Sequence, residues 1–126
     1  MKSIRAKEIL AHKFKSGIKL PDDEMLSELF LEAMLFIASK CVPNELIRKG
    51  IVDSDKVFRN IADGFFVCVP DKPNFSDANE HIMLDESLTY ALINEVAFLI
   101  NREPFYRQMT MDLIAQFNAS DGKEIL

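Results

Sequence analysis

The side chains able to carry out chemistry are few and far apart. Cys41 and Cys68 lie well outside any C-x-x-C spacing, each in an apolar stretch. That context reads as two small buried hydrophobes rather than thiolate nucleophiles or metal ligands. His81 lies near Glu80 and Asp85, and His12 sits apart in a basic segment. Without a third ligand at helical spacing, neither histidine implies a metal site. Two acidic clusters, Asp22-Asp23-Glu24 and Asp85-Glu86, could supply the paired carboxylates of acid–base catalysis. Both stand where helices begin, however, and capping and the helix dipole account for them. Gly17, Gly50, Gly64 and Gly122 are isolated, so no phosphate-binding loop or dinucleotide fingerprint is present. No serine has the context of a nucleophile elbow. The expectation is a protein with no catalytic residue, no cofactor and no metal.

The elements that must position these residues are mostly helical. Ser3 to Lys15 reads as a short helix with Ser3 as its cap and Gly17 as its stop. Asp23 to Lys40 is the clearest helix, capped by Asp22 or Asp23, with Leu26, Leu29, Phe30, Ala33 and Ile37 on a buried face. Met25, Leu31, Met34, Leu35 and Phe36 make it apolar nearly all round. Asn44 to Lys49 is expected to form a helical turn or two, and Asp53 to Ala62 a further short helix stopped by Gly64. Phe65 to Val69 is the one expected strand, with no partner in the sequence. It would lie along an edge, pair with another subunit or serve as an extended connector. Asp85 is expected to cap a second strong helix, Glu86 to Asn101, with Leu88, Leu92, Val96 and Leu99 facing the first. Pro104 opens a last helix, Phe105 to Phe117, and residues 118–126 read as a tail. The expected fold is mostly α: a small helical bundle with two long helices, several short helices and one isolated strand or extended segment.

Composition bounds the rest. The 126 residues suffice for one domain, 48% are hydrophobic, and two cysteines make no disulfide framework, so a reducing compartment is the default. The longest unbroken apolar run, Ala33 to Ala38, falls far short of the roughly 18 residues that span a bilayer, so no membrane partner is expected. Residues 1–19 hold six basic residues against one acidic, a balance of +5; the remainder holds nine against nineteen, a balance of −10. An acidic body disfavours tight binding of nucleic acid, because phosphate neutralisation supplies most of that affinity. A basic arm over residues 1–19 could still touch phosphate or an acidic partner, although a solvated helix face is the ordinary reading. Excess apolar surface on two long helices is the mark of a subunit covered by other chains.

Certain motifs sharpen this. Lys7-Glu8-Ile9-Leu10, then Asp22-Asp23-Glu24-Met25-Leu26 leading into Leu31-Glu32-Ala33, are followed by Ile82-Met83-Leu84-Asp85, Ala91-Leu92-Ile93 and Asn101-Arg102-Glu103. The order resembles the head–tail connector (adaptor) proteins of long-tailed bacteriophages and prophages, over roughly residues 4–107. The resemblance implies a structural virion protein: a homo-oligomeric ring beneath the portal, extending the DNA channel and receiving the stopper or tail-completion protein. DNA would pass through without sequence-specific binding, and the protein would reside in the virion neck after assembly in the host cytoplasm. Pro43 to Gly64 is longer than the family's usual link. The chain is expected to form a single domain over residues 1–126. Portal contacts are expected at Asn118, Lys123, Ile125 and Leu126, where a polar tail ends in two uncovered apolar residues. Subunit contacts are expected at Met25, Leu31 and Leu35. The alternative is a small helical regulator or DNA-binding accessory protein that uses the basic arm.

Overall fold

Helix α2 (Asp23–Lys40) starts where its acidic cluster dictates. The Asp22 carboxylate accepts the Met25 backbone N–H at 2.9 Å, and Asp23 and Glu24 follow at the positive end of the helix dipole. The structure is a computed structural model that describes residues 1–14, 18–50 and 54–120. Three further helices accompany α2 among these residues: α1 (Ser3–His12), α3 (Thr89–Asn101) and α4 (Pro104–Ser120).

Helix α3 is the centre of the helical layer, contacted by α1, α2 and α4. Its residues Ala91 to Ala97 are all buried, which explains a sequence that is apolar around most of the cylinder. Leu26, Phe30, Ala33 and Ile37 of α2 and Leu88, Leu92 and Val96 on the other side are fully buried in one cluster, with Leu99 half-buried at its margin. The apolar excess of α3 is therefore covered within the chain and needs no partner. The α3–α4 corner turns on Arg102, which takes a left-handed conformation (φ 60°) and donates its N–H to the Phe98 carbonyl at 2.7 Å. Pro104 then begins α4 directly, as its fixed φ and missing N–H suit a first turn.

The residues of the expected basic arm are part of this core. Ala6 and Leu10 of α1 are fully buried. Ser3 does not cap the helix; Lys2 holds that position, and the buried Ser3 hydroxyl donates to Glu80 Oε1 at 2.9 Å. Backbone bonds from Ser3 N–H to Glu80 and from Ile82 N–H to Met1 sew the start of α1 to the segment before α3. Lys15 and Gly17, the expected end and stop of this helix, lie outside the described residues.

The expectation of a helical bundle with one isolated strand is overturned by a three-stranded antiparallel sheet in the order β1-β3-β2. Its strands are β1 (Ile47–Lys49), β2 (Val57–Ala62) and β3 (Phe65–Cys68). The expected Asp53–Ala62 helix is instead a 3₁₀ turn, Ser54–Lys56, followed by β2. Val57, Phe58 and Ile61 prefer an extended backbone. Asp63 and Gly64 form a two-residue hairpin loop, both at positive φ (26° and 83°), with Ala62 opposite Phe65. Asp-Gly is a favoured sequence for such a tight turn, because the primed turn types need positive φ at both positions. Gly64 therefore reverses a strand rather than ending a helix. The expected turns over Asn44–Lys49 are likewise one 3₁₀ turn, Asn44–Leu46, and then β1. Strand β3 has neighbours on both sides, pairing with β1 (Ile47 opposite Val67) and with β2 (Arg59 opposite Val67). The expected 118–126 tail is shorter too, since α4 continues through Ser120.

Candidate functional site

The acidic clusters that could have done chemistry are occupied in holding the fold. Asp23 pairs with Lys7 at 2.6 Å, and Glu28, one turn beyond the Asp22-Asp23-Glu24 cluster, pairs with Lys72 at 2.7 Å. Its hydrogen bond and charge raise the Lys72 pKa. Asp85 is buried and does not cap the helix that follows it. Its carboxylate reaches across the chain to accept from the Asn44 N–H (2.9 Å), the Asn44 side-chain amide (2.9 Å) and the Glu45 N–H (2.7 Å). It thus caps the 3₁₀ turn before β1 with both oxygens engaged. Glu86 is ion-paired with the terminal amine of Met1.

Both thiols are buried. Burial first, then the charge of Asp85, pushes the Cys41 thiol up from 9.0 to about 12, with Arg59 acting in the opposite sense. A thiol so disposed is a poor nucleophile at neutral pH. Among the described residues no three of His, Cys, Asp and Glu come together in a way that could hold a metal ion. His12 and His81 are exposed, and His81 forms only an isolated β-bridge with Lys2.

Two polar clusters escape a reading of the sequence. Glu95, in the middle of α3, is 1% exposed and receives two bonds from Arg107 of α4, Nε to Oε1 at 2.9 Å and Nη2 to Oε2 at 2.7 Å. The Arg107 guanidinium lies 4.3 Å from the Phe36 ring centroid and 4.4 Å from that of Phe98. A planar cation between two aromatic rings, bonded through both forks to one carboxylate, ties α2, α3 and α4 together. The available signal was a lone carboxylate inside an apolar stripe, which demands a cationic partner. The second cluster joins sheet to helix. Arg59 of β2 donates from Nε to the Ala38 carbonyl (3.0 Å) and from Nη2 to the Cys41 carbonyl (2.7 Å). It thereby satisfies acceptors left open at the C-terminal end of α2 and complements the dipole there.

Two surfaces remain. The first is the solvent side of α2, where Met25 (53% exposed) and the half-buried Leu29, Leu31 and Leu35 flank Glu28 and Glu32 in a shallow depression. The structure therefore brings the three expected subunit-contact residues, Met25, Leu31 and Leu35, onto one face. The second is a groove of about 350 Å³ on the sheet. Arg48, Lys49, Lys56 and Asp71 border it, and Phe66, Cys68, Val69 and Met83 line it. Pairing places Arg48 opposite Phe66, so both belong to the sheet face that points away from the one carrying Ile47, Val67 and Arg59. This groove was not foreseen, because all three of its cations lie in segments expected to be helical. Of the expected portal contacts, Asn118 is exposed on α4 and its amide donates to the Lys40 carbonyl at 3.4 Å. Lys123, Ile125 and Leu126 lie outside the described residues.

No family model, curated protein or solved structure matches the chain.

Proposed function

We propose that the protein is a structural subunit of an oligomeric assembly, an adaptor ring subunit that joins a phage portal to the stopper or tail and extends the DNA channel. The observation that carries the reading is the solvent face of α2, where Met25, Leu29, Leu31 and Leu35 leave apolar surface that the rest of the fold does not cover. Apolar residues set beside charged ones on one helix face suit a surface that meets another protein. The connector-like order of motifs supplies the identity of that assembly. The acidic body agrees with it: residues 20–126 hold nineteen acidic residues and nine basic. Such a surface repels phosphate, so DNA slides past it rather than sticking.

The DNA-binding alternative depends on an available basic arm, and the packing weighs against it. Lys7 is paired with Asp23 and Arg5 with Glu8, and α1 is anchored through Ala6 and Leu10.

The test is co-expression with the portal protein of the same genome, followed by isolation of portal particles. Full-length chain should co-purify, and a Met25→Asp/Leu35→Asp variant should have a lowered yield of complete rings. A chain that never accompanies the portal, and instead binds duplex DNA with steep salt dependence, would overturn the reading in favour of the accessory protein.

A further inference from the structure

We propose that the groove on the sheet receives the solvent face of α2 from a second copy of this chain, so that copies join head to tail. The inference rests on the reading of the protein as an assembly subunit and names the surfaces that assemble it.

The two surfaces are complementary in charge and alike in apolar content. The groove sets two cations, Arg48 and Lys56, against one acid, Asp71, around the half-buried Val69 and Met83. The α2 face presents Glu28 and Glu32 between Met25, Leu29, Leu31 and Leu35. Their wider surroundings repeat the contrast. Residues 47–69 hold four basic residues and three acidic, against one basic and five acidic over residues 22–40. Opposite charge steers two such patches together and sets their register, and the apolar side chains between them supply the burial. Glu28 is already paired with Lys72 at 2.7 Å within the chain, so an incoming cation shares Glu28 with Lys72 and meets Glu32 directly.

The two surfaces share no residue. A copy that uses its groove therefore keeps its α2 face for the next copy. Contacts between unlike surfaces propagate, and they close into a ring when the rotation per copy allows. The sheet thereby acquires a role: it is the socket of the assembly, and α2 is the plug.

The experiment is sedimentation velocity of the full chain at low and high salt, with two charge-reversal pairs, Glu28→Lys/Glu32→Lys and Arg48→Glu/Lys56→Glu. All four side chains belong to exposed residues, and circular dichroism checks that each variant keeps its fold. The wild-type chain should associate more strongly at low salt, and either pair should weaken association by about tenfold or more. Each variant alone confronts like charge with like at its altered surface, whereas an equimolar mixture sets the intact groove of one variant against the intact α2 face of the other and the two reversed surfaces against each other. Opposite charges meet at both contacts, so the mixture should regain association in alternating copies. The chain with all four substitutions should regain association. Variants that associate like wild type would overturn the docking while leaving assembly through another surface. A wild-type chain that stays monomeric at about 1 mM and low salt would also overturn it, a concentration at which even weak contacts form. Co-purification with the portal would then still support the adaptor reading. Duplex binding abolished by Arg48→Glu/Lys56→Glu without any self-association would overturn the docking by assigning the groove to nucleic acid.

Discussion

Helix α3 is packed by three other helices and buries every residue from Ala91 to Ala97, whereas the strands make their close backbone contacts chiefly with one another. The helical layer is held by area: Leu26, Phe30, Ile37, Leu88, Leu92 and Val96 are all fully buried. The sheet also contributes Phe66 and Val67 to that core, but among the described residues its polar attachment to α2 passes through one side chain, Arg59. Burial stabilises in proportion to surface removed from water and tolerates small rearrangements, while a bond to a helix end depends on one geometry. The difference separates a scaffold from an appendage that is free to present a groove.

The sharpest way to break the comparison is to excavate the scaffold. Leu92→Ala in α3 should lower the free energy of unfolding by about 2–5 kcal/mol, the usual cost of truncating a fully buried leucine. Urea denaturation checks this, and a loss below about 0.5 kcal/mol would place Leu92 outside the core that carries the fold. The appendage should respond differently. Arg59→Met removes two hydrogen bonds from the ends of Ala38 and Cys41, and should cost about 1–3 kcal/mol. Amide exchange should rise in β2 and β3 while α3 keeps its protection. Uniform deprotection of both layers would show that they unfold as one unit.

The smallest effect is confined to alkaline solution and lies at the junction of the two layers. The Cys41 thiol ionises near 9.0 when unfolded and at about 12 when folded, so below pH 9 both states hold the proton and stability is unaffected. Between these values the unfolded chain alone loses the proton, and stability declines as pH rises. Cys41→Ala should flatten that decline relative to wild type in parallel thermal melts at pH 8 to 11. Equal slopes for the two proteins would mean that the site admits water. In wild type, alkylation of Cys41 in the native state should be correspondingly slow.

Much of the helical layer was legible because its signals are local. The bounds Asp23–Lys40 and the Asp22 cap follow from an acidic cluster ahead of an apolar period, and Pro104 marks the start of α4. The sheet was not read, although one local sign was present: Asp63-Gly64 between residues of β character is a hairpin sequence, and reading Gly64 as a helix stop concealed it. The candidate surfaces divide in the same way. Met25, Leu31 and Leu35 could be placed on the outside of α2 from periodicity, whereas the groove gathers Arg48, Lys56, Phe66 and Met83 from four segments.

By itself, then, the sequence determined what repeats within a turn or two of helix: the amphipathic stripes, the caps, the breaks at proline and the distribution of charge. These depend on neighbours a few residues apart, whose geometry the backbone settles. Only the tertiary structure decided what depends on distant partners. It closed the strand Phe65–Cys68 between two neighbours, sent Asp85 to the turn at Asn44 rather than to its own helix, and gave Glu95 its cation from α4. Each is a pairing chosen by which polar groups would otherwise be buried alone. That cost is incurred in three dimensions and leaves no period in the chain.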